Sequence, residues 1–182
     1  MQRRTFLQLS GLSAAGLLVP PFTSARGRDP LLLSLPRSVT LRTGGQVVPM
    51  TGDGSRWKVR EVEVTLEQAG DRIGVQVQAA ETALEEVTLS WDVRPPAGAS
   101  VLGDAWERTY GDVHWQAPGT GKLPWYCIIR DANHTWCYGV RTGCRAFCSW
   151  RPDPTGLQLC LDLRNGGGGV TVCWTAISVN EP

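Results

Sequence analysis

The chain is 182 residues long, with 18 Lys plus Arg against 17 Asp plus Glu and a formal net charge of +1. That balance leaves no electrostatic footprint for nucleic acid or for an anionic membrane surface. With 21 Gly, 12 Pro and only two Met, the composition favours strands and turns over long helices.

The first residues, "MQRRTFLQLSGLSAAGLLVPPFTSA", pair Arg3 with Arg4 ahead of a mildly apolar stretch and a small-residue end at Ala25. This is the layout of an export signal of the twin-arginine type, over residues 1–25, and it places the mature protein in the periplasm or outside the cell. The apolar run is shorter than the roughly 20 residues of a spanning helix, so no membrane association is expected after signal removal. Residues 26–38 read as a linker and 39–182 as one domain, long enough for a real core.

From Val39 onward, apolar and polar residues alternate. "EVEVTLEQ" sets Val62, Val64 and Leu66 on one face, "RIGVQVQA" does the same with Ile73, Val75 and Val77, and the intervening "AGD" predicts a hairpin. "VTLSWDVR" keeps Val87, Leu89, Trp91 and Val93 in phase. The later runs "PWYCIIR", "TWCYGVR", "RAFCSW", "LQLCLDL" and "VTVCWTAI" are short, rich in β-branched and aromatic residues, and separated by Gly, Asn, Asp or Pro. The expected fold is all-β, an antiparallel β-sandwich.

Glycine-rich stretches offer no phosphate site. In "LDLRNGGGGVTV" a strand follows the glycines where a dinucleotide fingerprint needs a helix, so the run predicts a hairpin turn. "GTGKL" has Gln116 in place of the first P-loop Gly and Leu123 in place of the magnesium-binding Ser or Thr. No cofactor is implied.

All six cysteines fall between 127 and 173, and the exported compartment permits disulfides. If Leu163 pairs with Val170 across the glycine turn, Cys160 stands opposite Cys173, at the roughly 4.5–5.5 Å Cα separation a disulfide tolerates. Cys137, Cys144, Cys148 and His134 form a weaker zinc alternative, because only the Cys144–Cys148 spacing approaches a ligand pair. No metal site is expected.

The densest chemistry lies in "LGDAWERTYGDVHWQ", residues 102–116. Extended, this segment would hold Asp104 and Asp112 roughly 26 Å apart at about 3.3 Å per residue, far beyond the separation of glycosidase carboxylate pairs. With two histidines in the chain and no nucleophile elbow, no catalytic residue is assigned. Aromatic recognition suits the segment better, because an exposed ring can carry a sugar's CH face while acids and Arg fix its hydroxyls. Trp115 alternates with Val113 and is expected to face the core.

"GDAWERTYGDVHW", "PWYCIIRD", "YGVRTG", "AFCSW" and "LDLRNGGGGV", in that order, resemble the N-terminal β-sandwich (supersandwich-like) region of bacterial α-galactosidase-like enzymes, the melibiase-type glycoside hydrolases of family 36 and relatives. The likeness is strongest from Leu102 to Val170. It implies a sandwich packed on a following (β/α) barrel that holds both catalytic aspartates and removes α-linked galactose with retention. The sequence ends at Pro182, so neither aspartate has a counterpart, and the chain is expected to be the non-catalytic sandwich of an exported, truncated glycosidase. The resemblance implies that Trp106, Glu107, Arg108, Tyr110 and Asp112 face either carbohydrate of α-galactoside type or the barrel. A free-standing carbohydrate-binding module and a disulfide-stabilised secreted structural domain are the rival expectations.

Overall fold

Val62, Val64 and Leu66 are buried on β5 (Val62–Ala69), and Ile73 and Val75 on β6 (Arg72–Gln78). The two strands pair antiparallel around Gly70, whose φ of 61° supplies the left-handed step of the turn. In the computed structural model the described residues are 31, 33–79, 83–104, 113–141 and 146–164, together with the backbone of 169–178. The export signal expected at 1–25 lies outside them.

Two antiparallel sheets make the fold, with no helix among the described residues. The six-stranded sheet A runs in the order β2 (Gln46–Pro49), β1 (Ser38–Thr43), β7 (Glu86–Trp91), β13 (Gly156–Asp162), β12 (Phe147–Asp153), β9 (Leu123–Pro124). The eight-stranded sheet B runs β3 (Thr51–Asp53), β4 (Arg56–Val59), β5, β6, β14 (Gly169–Ser178), β11 (His134–Val140), β10 (Tyr126–Arg130), β8 (Ser100–Gly103). The expected all-β antiparallel sandwich is the observed architecture.

Period-2 alternation aims one face of each sheet inward. Sheet A contributes Val39, Leu41, Val87, Leu89, Trp91, Cys148, Trp150, Leu157, Leu159 and Leu161, and sheet B contributes Trp57, Val62, Val64, Leu66, Ile73, Val75, Val101, Cys127, Ile129, Trp136 and Tyr138. Trp150 is fully buried at the join, its ring centroid 6.2 Å from Trp91 in its own sheet and 5.7 Å from Tyr138 in the other. Each such ring contributes packing beyond its buried area, about 0.5–1.5 kcal/mol per aromatic pair.

The segment expected as a linker is partly core: Leu31 and Leu33 are buried, and the Tyr138 hydroxyl donates to the Leu31 carbonyl at 2.8 Å. At the far edge the sheets close tightly. A Cβ on Gly103 would stand 2.6 Å from Leu123 Cβ and 2.9 Å from the Tyr126 carbonyl, so only glycine fits where β8 passes β9.

Candidate functional site

Trp106, Glu107, Arg108, Tyr110 and Asp112 lie outside the described residues, and so does Cys144. The flank at 113–116 is described and corrects one expectation. Gln116 bridges Val101 through two backbone hydrogen bonds of 2.8 and 2.9 Å, extending the β8 edge of sheet B. Val101 points into the core, so Gln116 shares its side of the sheet and Trp115 falls on the outer one. Trp115 is 37% exposed and Val113 43%, both on the surface rather than in the core. Alternation alone placed them inward, but a segment added at a sheet edge has its faces set by the register of its partner.

The Cys160–Cys173 pairing is also corrected. Cys160 is a free thiol, β13 belongs to sheet A and β14 to sheet B, and the two never pair. Cys160 stands opposite Thr88 and Ser149, whereas position 173 stands opposite Gly139 and Arg72. The strands on either side of the glycine run therefore belong to different sheets, not to one hairpin. Cys127, Cys137 and Cys148 are free thiols too. Burial raises the Cys127, Cys137 and Cys160 pKa values, with the Glu86 charge adding to the rise at Cys160, which disfavours the nucleophilic thiolate. The zinc alternative does not assemble, since Cys148 faces the core from sheet A while Cys137 lies on the outer side of β11. Among the described residues no three His, Cys, Asp or Glu side chains converge on a metal position.

Polar chemistry gathers instead on the outer face of sheet A. Register lines up Arg42, Glu86, Asp162 and Phe147 in one row across β1, β7, β13 and β12. The next row holds Thr40, Thr88, Cys160, Ser149 and Pro124. Lys122, just before edge strand β9, reaches inward so that its Nζ lies 3.0 Å from Glu86 Oε2 on β7. Three strand spacings of about 4.8 Å separate β9 from β7, so the two side chains together span roughly 14 Å. Arg42 Nε approaches the same carboxylate at 4.0 Å. Cys160 and Ser149, though on the outer side, are almost fully buried at 1% and 3% exposure.

Above this floor lies an open hollow of about 310 Å³ walled by Arg42, Glu85, Glu86, Lys122, Asp162 and Arg164. Three cations face three carboxylates, so the hollow is polar without a dominant sign. Asp162 accepts from Arg164 Nε and Nη2, and that hydrogen-bonded pairing, against a smaller effect of burial, holds its carboxyl below the usual aspartate range. Directly opposed on neighbouring strands, Glu86 and Asp162 have Cα atoms about 4.5–5.5 Å apart.

The row ends in an aromatic corner. Phe147 is directly opposite Asp162, and its ring meets Trp125 edge to face at 5.1 Å and 79°. Trp125 links β9 of sheet A to β10 of sheet B in a left-handed conformation, φ 64°, which costs an L-residue roughly 1–2 kcal/mol. Three hydrogen bonds hold it there: its amide donates to the Cys148 carbonyl at 3.0 Å, and its carbonyl accepts from the Val140 amide at 3.1 Å and from Trp150 Nε1 at 3.4 Å. The backbone is thus anchored to both sheets and to the central core tryptophan while the residue as a whole stays 38% exposed.

None of this site was assigned from the sequence, because its residues come from five separate strands and loops with no local motif. Trp125, beside Pro124 in "LPWYC", carried the one available signal: a large ring at a turn. No family model, curated protein or solved structure matches the chain.

Proposed function

We propose that this chain is a non-catalytic carbohydrate-binding β-sandwich that serves an exported glycosidase of the α-galactosidase type. The observation that carries the reading is the outer row of sheet A, Arg42–Glu86–Asp162–Phe147, running into the exposed, backbone-strained Trp125. A flat ring receives the apolar CH face of a pyranose, and paired carboxylates and guanidinium groups beside it exchange hydrogen bonds with hydroxyls. Backbone strain in a surface tryptophan supports a binding role, since strain of this kind persists where the surroundings hold it and gathers at ligand sites. The balanced charge of the hollow suits a neutral sugar better than an ion. The galactose-type ligand and the partner enzyme rest on the sequence resemblance; the export route rests on the Arg3–Arg4 segment.

Isothermal titration of the purified chain with galactose and raffinose-type sugars tests the reading. The expected result is a Kd of about 1 mM or tighter, near −4 kcal/mol, lost in Trp125→Ala and weakened in Asp162→Asn. Absence of binding by the parent chain refutes carbohydrate recognition. Release of galactose from a chromogenic α-galactoside refutes the non-catalytic assignment.

A further inference from the structure

We propose a second binding site on the opposite sheet, built on the Trp115–Arg130 stack, whose ligand is a carboxylate-bearing saccharide such as a uronide. Arg130, at the end of β10, is exposed and lays its guanidinium carbon 4.1 Å from the centroid of the Trp115 ring. Trp115 itself is 37% exposed. Strand register puts Ser100 of β8 and Thr135 of β11 on either side of Arg130, on the same outer face.

No carboxylate among the described residues forms an ion pair with Arg130. Its sequence neighbour Asp131 is engaged elsewhere, accepting from the Asn133 and His134 amides at 2.8 and 2.7 Å with His134 Nδ1 at 3.7 Å. The result is a guanidinium held over the indole on one side, with no hydrogen bond or ion pair from its N–H groups among the described residues. Such a fork matches a planar carboxylate in two parallel hydrogen bonds. Stacking supplies the orientation in advance, so little rotamer freedom is lost on binding.

Two observations favour a saccharide over an acidic peptide. The hydroxyls of Ser100 and Thr135 can both donate and accept, as sugar hydroxyls require. A peptide would add backbone hydrogen bonds at a sheet edge, but the edge beside Ser100 is already closed where Gln116 bridges Val101. Recognition there falls to side chains. This site is independent of the sheet A hollow, which has balanced charge and lies on the other face of the sandwich.

The test is amide and side-chain NMR on the full chain, titrated with methyl galacturonoside, methyl galactoside, a galactose sulfate ester and an Asp-rich peptide. The expected result is that the uronide shifts the Trp115 indole and Arg130 Nε signals. It should bind at least tenfold more tightly there than the neutral galactoside, the sulfate ester or the peptide, and more weakly as salt rises. Arg130→Gln should weaken uronide binding at least tenfold and Arg130→Lys by less, with the buried Trp150 indole signal reporting an intact fold. Trp125→Ala should leave the uronide response unchanged, which separates this proposal from the sheet A reading. Equal binding of the neutral galactoside, preference for the sulfate or the peptide, or full uronide affinity in Arg130→Gln overturns it.

Discussion

Replacing Trp125 by Gly and, separately, by Ala isolates the strain at the aromatic corner. Both changes delete the same indole, its packing on Phe147 and the area it buries, so those losses cancel in the comparison. What differs is the backbone at φ 64°. Alanine must hold the left-handed conformation with a Cβ, at a cost of roughly 1–2 kcal/mol, whereas glycine adopts it freely. Glycine's larger unfolded-state entropy returns about 0.5–1 kcal/mol of that advantage. The expected outcome is that Trp125→Gly is more stable than Trp125→Ala by about 0.5–1 kcal/mol, the reverse of their order at an ordinary strand position. Urea unfolding followed by far-ultraviolet circular dichroism measures it, with equal m-values required so that the two variants are compared between states of the same compactness. At this domain size the gap corresponds to about 1–4 °C in Tm. Both variants should lose sugar binding alike. An alanine variant as stable as the glycine variant, or more so, refutes the strained geometry and with it the structural argument for the site.

Trp150→Ala removes the fully buried ring between Trp91 and Tyr138 and should cost about 3–5 kcal/mol, a large part of a typical domain's roughly 5–15; a loss of unfolding free energy in urea under about 1 kcal/mol contradicts its central place. Asp162 is held low by Arg164, and Asp131, against the opposing effect of its own burial, by the Asn133 and His134 amides. Both carboxyls are depressed in the folded state, so their contribution is fully present above the unfolded value near pH 4 and falls away as pH drops through the folded values. Stability measured from pH 7 to 2 should therefore decline below about pH 4, with a shallower decline in Asp162→Asn; an identical slope in that variant refutes the assignment. Native alkylation should leave Cys127, Cys148 and Cys160 unmodified, and denaturation without reductant should expose all three to reagent. A Cys160 that needs reductant first is in a disulfide.

The sheets were legible in the sequence wherever a strand buries one face. Val62, Val64 and Leu66 against Glu61 and Glu63, or Val87, Leu89 and Trp91 in phase, carry the inward side in a period of two. The β5–β6 hairpin was legible because its turn is short and its strands are sequential neighbours. Partner choice over longer connections was not. "RNGGGG" has the composition of a hairpin, yet β13 joins β7 and β12 while β14 joins β6 and β11, because composition alone does not say which sheet the next strand joins and the decision rests on nonlocal packing. The apolar "LLLSL" at 31–35 was a core signal overshadowed by its place just after the stretch expected to be an export signal. The candidate site was illegible for the same nonlocal reason: Arg42, Glu86 and Asp162 are more than 40 residues apart in sequence at each step, and only the order β1–β7–β13 makes them neighbours.

Edge strand β9 is two residues long and ends in Pro124, which has no amide hydrogen to offer. The next amide, that of Trp125, is already spent on Cys148. A second chain seeking to prolong sheet A by strand addition finds almost no ladder at this border. The border that carries the tryptophan therefore resists edge-to-edge pairing of copies, and raising the protein concentration should not cover Trp125 by strand addition.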